Sequence, residues 1–305
     1  MSAAALKAGI VGLGNMGRGI AENLDRAGFL AAAWDAHPPA LSACTLGGTV
    51  ARRREAVAEC AVILLAVPGS GEVSALFDDG LLDGPAGRVF IDLTTSDPEA
   101  TRALAARAEA AGAAYLDAGM TGGAAGAASG KLTLMLGGEE AALSRARPVL
   151  EQIAARLFHL GPCGAGHAMK LAHNMICHTI FLATAEGCRA AEKAGVPLER
   201  AVEVLNAGNA RSFVSERRFP DHIVSGTFDG RSQVANLAKD LAMAAEVFDR
   251  LGQPAAYAGL SAELLDTARR LGMAEEDFTR LYPEYDRVIG AWDRPPMQAA
   301  KSKRQ

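Results

Sequence analysis

The sequence predicts an α/β fold, a doubly wound parallel sheet followed by an all-α domain, the two joined by one long interdomain helix. Three observations carry this. Short β-like runs alternate with alanine-rich helical stretches through the first half. A glycine-rich turn, Gly12-Leu13-Gly14-Asn15-Met16-Gly17, separates the first apolar run from the first amphipathic stretch. Beyond Gly161-Pro162-Cys163-Gly164 the apolar spacing is helical throughout, with glycine and proline only at punctuation points. The 305 residues thus divide into a sheet domain over 1–163, a helical domain over 164–293, and a polar, proline-marked frayed tail over 294–305.

Strands are expected at 8–12, 30–34, 62–67, 89–93, 114–117 and 133–136, where β-branched and other apolar residues form short runs bounded by turn residues. Helices are expected at 17–27, 51–58, 98–111 and 139–152, where apolar residues recur at three and four positions. The long helix runs from near Gly166 to Lys193 and stops at Ala194-Gly195-Val196-Pro197, a glycine stop followed by a proline.

Composition excludes several classes of function. Half of the residues are apolar and the net charge is −4, with basic residues scattered, so no electrostatic footprint for nucleic acid or an anionic membrane is present. No apolar run is long enough to span a bilayer, and the first residues lack a signal-peptide profile, which predicts a cytoplasmic protein. The five cysteines have no C-x-x-C spacing and read as reduced, mostly buried thiols; no metal site is predicted.

Gly12, Gly14 and Gly17 stand where a dinucleotide fingerprint must stand, after an apolar strand and at the opening of a helix. In this Rossmann-type arrangement the first glycine permits the tight turn, the second lets the backbone approach a pyrophosphate, and the third lets helix pack on strand. Leu13, Asn15 and Met16 complete the turn, and the helix N-terminus directs N–H groups at the phosphates. Asp35 ends the next strand. Its carboxylate can accept from both adenine-ribose hydroxyls and repels a 2′-phosphate, so NAD is expected, with NADP left open because His37 lies nearby. Ligands gather at the carboxyl ends of strands, which adds Val67, Pro68 and Thr95 as cofactor-side residues. Ser96 and Asp97 read better as helix caps ahead of Pro98.

Lys170 and Asn174 lie four residues apart, hence on one face of the long helix, among Met169, Leu171, Met175 and Ile176. A partly desolvated lysine beside a substrate oxygen can exchange a proton with it, and an asparagine can orient that oxygen. Spacing alone leaves a second reading open, in which Lys170 snorkels along the helix surface and Asn174 bonds a neighbouring helix. The histidines of this segment, His167, His173 and His178, match no zinc-ligand spacing. In Asp117-Ala118-Gly119-Met120-Thr121-Gly122-Gly123 a hydroxyl followed by two glycines offers unobstructed backbone N–H groups, suited to an oxyanion, although a plain flexible turn has the same composition.

Together these motifs resemble the β-hydroxyacid dehydrogenases, the family of 3-hydroxyisobutyrate dehydrogenase and tartronate semialdehyde reductase. The resemblance covers nearly the whole chain. It rests on the glycine turn at 12–17, the segment 117–123, Gly-Ala-Gly-His-Ala-Met-Lys-Leu-Ala-His-Asn at 164–174, and Lys239-Asp240-Leu241, four motifs in order. It implies that Lys170 is the catalytic acid/base and that Asn174 holds substrate. It implies that Thr121, Gly122 and Gly123 bind the substrate carboxylate, that Lys239 reaches toward the cofactor, and that Thr95 lies near the nicotinamide. It further implies a homodimer or homotetramer acting on a small hydroxy acid.

The expected activity is reversible NAD-dependent hydride transfer between a small 3-hydroxy acid and its semialdehyde or keto acid. The alternatives are an NADP-dependent semialdehyde or imine reductase on the same fold, where Lys170 argues against the imine reductase alone, and a catalytically silent dinucleotide sensor, which needs no proton-transfer lysine. The family usually has Asp-Ala-Pro-Val-Ser-Gly-Gly, whereas this chain has Gly119, Met120 and Thr121 at the third to fifth positions. Where the family often carries a phenylalanine upstream of Lys239, this chain has Phe228-Asp229-Gly230-Arg231-Ser232-Gln233. These departures predict a more polar pocket, for a polyhydroxylated or doubly anionic acid.

Overall fold

One seven-stranded sheet organises the first unit of the computed structural model, which describes residues 6–293. The expected tail from Arg294 onward and the first five residues lie outside the described residues. The strands are β1 (Ala8–Val11), β2 (Leu30–Trp34), β3 (Val62–Leu65), β4 (Val89–Asp92), β5 (Ala114–Thr121), β6 (Leu132–Gly137) and β7 (Ala154–His159), in the spatial order β2-β1-β3-β4-β5-β6-β7. The chain leaves β1 to lay β2 on one side and returns to lay β3 on the other, so the order reverses at β1 and β3, where open α/β sheets hold their ligands.

Helices cover both faces. They are α1 (Gly17–Arg26), α2 (Pro38–Ser42), α3 (Arg54–Ala58), α4 (Ser70–Leu76), α5 (Pro98–Ala110), α6 (Gly123–Ser129) and α7 (Glu140–Leu150). Alternate strand residues feed two cores: Ile10, Leu64, Ile91, Leu116 and Leu134 pack with Ile20 and Leu24 of α1 and Leu143 of α7. Val11, Ile63, Leu65, Phe90 and Tyr115 pack with Val57, Val73 and Leu104 on the other side. Strands β1, β3 and β4 are buried along their full length, as expected of parallel strands covered twice.

The sheet differs from the sequence expectation in three places. The pair β5–β6 is antiparallel rather than parallel, because the ten residues from Gly122 to Lys131 include only the short α6 and cannot carry the chain back for a parallel crossover. Strand β5 extends to Thr121 instead of ending at Asp117, so the segment read as a loop is sheet for four further residues. Strand β7 was not expected: it is an edge strand whose Phe158 is exposed, and its sequence lacks the alternation that marks a half-buried strand.

The second unit begins inside the long helix α8 (Ala165–Lys193), between His173 and Asn174. Gly195, at φ +89°, ends α8 as its sequence predicts. It is followed by α9 (Leu198–Ala207), a wider π-helical stretch Val214–Val224, α10 (Val234–Arg250), α11 (Ala256–Ala268) and α12 (Tyr285–Gly290). Its core centres on edge-to-face aromatics, with Phe181 against Phe278 at 5.0 Å and Phe219 against Tyr282 at 5.4 Å between ring centroids. No helix among the described residues is long and apolar enough to cross a membrane.

Arg88, just before β4, is almost fully buried, and its guanidinium donates to the carbonyls of Ala58, Leu81 and Leu82 at 2.9, 3.0 and 2.6 Å. It closes the ends of α3 and of the turn that follows α4. Replacing it by Met leaves those buried acceptors without a donor, so Arg88→Met should lower unfolding free energy by about 3 kcal/mol or more in denaturant titration. A loss under about 1 kcal/mol would contradict this account.

Candidate active site

At the switch point, the turn after β1 is built by three glycines with three different reasons. Gly12 has φ +92°, and a Cβ there would overlap the Ala66 carbonyl beyond β3. A Cβ on Gly17 would overlap the Gly12 carbonyl, so the helix can start this close to the strand only with glycine. Gly14 has no atom within 4 Å of the position its Cβ would take. It is the one glycine of the three that nothing in the protein requires, and the space it leaves lies at the N-terminus of α1, which no side chain caps. A phosphate approaching this backbone accounts for it, so the residues fit a dinucleotide. Asn15 and Gly14 are exposed and Met16 is half-buried.

Asp35 follows β2 and faces the same turn. Its Oδ2 accepts from the Leu13 backbone N–H at 2.6 Å and its Oδ1 from that of His37 at 2.7 Å. Asp35 therefore braces the glycine turn, a role its spacing alone did not disclose. Val67 is half-buried and Pro68 exposed just beyond the carboxyl end of β3. Thr95 is half-buried beyond β4, in a loop held by the buried Asp92, whose Oδ1 accepts from Thr94 N–H at 3.0 Å and whose Oδ2 accepts from Tyr115 OH at 2.7 Å. Burial first, and the adjoining Asp92 carboxylate second, push the Tyr115 phenol well above its ordinary range. Asp97 caps α5 by accepting from Glu99 N–H, with Pro98 at the first helical position, while Ser96 bonds Thr94.

Strand β5 aligns Asp117, Gly119 and Thr121 on one face. Asp117 is fully buried, and its carboxylate accepts from the N–H groups of Gly164 at 2.7 Å and His167 at 2.8 Å, capping α8 from a distant strand. The Cys163 thiol hydrogen-bonds the same carboxylate and is pushed up to about 12, by burial first and by Asp117 second, so it stays protonated. One turn into α8, the stem of Lys170 lies against Gly119. Gly122 and Gly123 follow Thr121 at φ +123° and +62°, conformations that glycine adopts without strain, and both are exposed. Gly123 also opens α6, which α1 holds through Asn23, whose amide donates to Ala127 O at 2.7 Å.

His167 sits in the core. Thr101 Oγ1 donates to Asp97 O at 2.9 Å and therefore accepts from His167 Nδ1 at 2.7 Å, which sets the imidazole tautomer. In the second unit the buried Asn174 donates its amide to Asp240 Oδ2 at 2.6 Å, and Lys239 lies 3.7 Å from Asp240 Oδ1. Because an ionised carboxylate only accepts, this bond fixes which way the Asn174 amide points. Lys170 and Asn174 share a face of one continuous helix, as their spacing requires. Among the described residues, no group of three His, Cys, Asp or Glu side chains is arranged to hold a metal.

Asp117 and Asp240 are the site-supporting residues that the sequence reading named only as parts of motifs. Both carried a signal: a carboxylate inside the strand-like Ala-Tyr-Leu-Asp-Ala, and one on the apolar stripe of Leu237, Leu241 and Ala244, must each meet a buried donor.

The fold and this cradle define a dinucleotide-binding α/β enzyme. Residues 7–161 match the NAD-binding domain of 6-phosphogluconate dehydrogenase, and residues 164–285 match the "NAD-binding of NADP-dependent 3-hydroxyisobutyrate dehydrogenase" family. The NAD-dependent L-serine dehydrogenase of Pseudomonas aeruginosa is 32% identical, over 92% of this chain and 98% of its own length. The 2-(hydroxymethyl)glutarate dehydrogenase of Eubacterium barkeri is 29% identical over 93% and 96%. The structure of Mycobacterium tuberculosis 3-hydroxyisobutyrate dehydrogenase with L-serine superposes with a TM-score of 0.84 at 31% identity, covering 92% of this chain and 99% of that one. The chain belongs to the β-hydroxyacid dehydrogenase family. Its cofactor is a nicotinamide dinucleotide. Imine reductases, such as that of Streptomyces aurantiacus at 17% identity and a TM-score of 0.60, share the fold alone.

The three glycines should separate on substitution. Gly14→Ala should leave the melting temperature within about 2 °C and weaken NADH binding about tenfold or more in a fluorescence titration, whereas Gly17→Ala should lower the melting temperature by several degrees. Unchanged NADH affinity in Gly14→Ala would remove the pyrophosphate from this turn.

Proposed function

We propose that the chain catalyses reversible NAD-dependent hydride transfer between a small 3-hydroxy acid and its semialdehyde or keto acid. The observation that carries this reading is Lys170, seated on strand β5 two residues from Thr121 and one helical turn from Asn174. The three dehydrogenases named above, for L-serine, 2-(hydroxymethyl)glutarate and 3-hydroxyisobutyrate, all take their names from hydroxy acids.

When bound, the dinucleotide supplies the hydride acceptor or donor at its nicotinamide ring. In the oxidation direction Lys170 Nζ takes the hydroxyl proton as the carbinol carbon gives up hydride; in reduction the ammonium returns that proton to the carbonyl oxygen. Thr121, Gly122 and Gly123 hold the carboxylate through the threonine hydroxyl and backbone N–H groups, and Asn174, its amide oriented by Asp240, holds the reacting oxygen. In this reading Thr95, Val67 and Pro68 bound the nicotinamide half, the glycine turn with Asp35 bounds the adenine half, and Lys239 is a further cofactor-binding residue.

The preference for NAD rests on Asp35. Each carboxylate oxygen takes one backbone N–H and retains a lone pair for a ribose hydroxyl, and its charge opposes a 2′-phosphate. This reading includes a cytoplasmic homodimer or homotetramer. For substrate it favours a polyhydroxylated or doubly anionic acid, supported by the polar segment before α10, where Arg231 is exposed and held at φ +62° by its N–H bond to Asp277.

An NAD(H)-coupled screen over three- to six-carbon hydroxy acids, with threonate, glycerate, 3-hydroxyisobutyrate and sulfonated analogues, should find turnover. On that substrate Lys170→Ala should lower kcat by about a thousandfold and leave the NADH Kd within about threefold. A blank screen, or activity retained without the lysine, would overturn the assignment. Asp35→Asn keeps an acceptor for Leu13 N–H while removing the charge, and should narrow the NAD/NADP ratio of kcat/KM by about tenfold. An unchanged ratio would take cofactor selection away from Asp35.

A further inference from the structure

Gly119 is glycine for reasons of space. Its backbone is regular strand, paired with Met135 of β6, and lies outside the left-handed region, so conformation does not demand glycine there. What occupies its side-chain position belongs to α8. A Cβ at residue 119 would sit 2.5 Å from Lys170 Cβ, 3.0 Å from Lys170 Cγ and 3.2 Å from the Gly166 carbonyl oxygen. Contacts of 2.5 Å between carbons are not sustained in folded proteins, so any larger residue must displace the lysine stem or the helix.

The helix is poorly placed to yield. Its first turn is tied to β5 through the Asp117 bonds to Gly164 and His167, and the Thr101–His167 bond ties it to α5. Two more glycines let it approach this closely. A Cβ on Gly166 would overlap Met135 O, and one on Gly137 would lie 2.8 Å from Pro162 O. With the backbone of α8 pinned on these sides, strain from a side chain at residue 119 falls on the Lys170 stem.

We infer that Gly119 is a positioning residue for the reaction: its missing side chain is the notch that seats the Lys170 stem and thereby sets where Nζ stands relative to Thr121 on the same strand. The inference rests on the assignment of Lys170 as acid/base.

The test combines Gly119→Ala, Lys170→Ala, Lys170→Gly and the double variant Gly119→Ala with Lys170→Gly. A methyl group at residue 119 moves the stem by a fraction of an ångström to about 1 Å, which should lower kcat roughly ten- to a hundredfold, keep the NADH Kd within about twofold, and shift the Lys170 limb of the pH–kcat profile. A loss of folded protein would scale kcat without moving that limb. In the Lys170→Gly background, which opens the other side of the notch, Gly119→Ala should leave the melting temperature within about 2 °C of Lys170→Gly alone. Should Gly119→Ala fail to fold by itself, a folded, NADH-binding double variant still identifies the lysine stem as the obstruction. The inference is overturned if Gly119→Ala keeps kcat within twofold and its pH limb in place, or if it costs as much stability with Lys170→Gly as without it. Loss of activity in Lys170→Ala under either of those outcomes leaves the assignment of Lys170 standing, whereas activity retained in Lys170→Ala removes that assignment itself.

Discussion

The arrangement of the candidate site depends on one buried carboxylate. Burying an ion costs several kcal/mol after relaxation. Its compensation comes from the N-terminus of α8: two charge-assisted bonds, from Gly164 and His167, each on the order of 1.5–3 kcal/mol, together with the positive end of a long helix dipole. Each side of the bond needs the other. Without the helix the carboxylate would be an unpaired charge in the sheet, and without the carboxylate the buried start of α8 would hold orphan N–H groups.

From this anchor the rest of β5 can be read as a ruler. Two residues beyond the anchor the strand offers a gap, Gly119, and two residues further a hydroxyl, Thr121, all on one face. One turn beyond the same anchor the helix offers Lys170, which enters the gap. The spacing of a strand and the pitch of a helix thus converge on one place because both are referenced to Asp117. Asp92 repeats the device one strand away, where it ties down the loop that carries Thr95.

The dinucleotide turn follows a different logic, in which absence of side chains is the active feature and each absence has its own cause. Gly12 and Gly17 are dictated by the protein's own backbone, while Gly14 faces open space. Asp35 connects the two tasks proposed for the turn, since the carboxylate proposed to meet the ribose also holds Leu13 in place. Its charge and its geometry therefore act together, and neither can be changed alone except by an isosteric amide.

Much of this was legible beforehand. Strands β1 to β6, helices α1, α5 and α7, the span and glycine stop of α8, and the capping role of Asp97 follow from local periodicity and turn chemistry, which act over a few residues and are written in the chain directly. Strand β7 escaped because an edge strand buries little and need not alternate, and the length of β5 escaped because Gly119, Thr121 and Gly122 look like turn residues when their neighbours in space are unknown.

The sequence by itself determined the family, the dinucleotide turn and the residues worth suspecting, because those are properties of motifs whose members are close along the chain. Only the tertiary structure decided what Asp117, Gly119, His167 and Asp240 are for. Their partners lie 47 to 66 residues away in the cases of Asp117, His167 and Asp240. A buried carboxylate, a missing side chain and an imidazole tautomer acquire meaning only from the group that meets them across the fold.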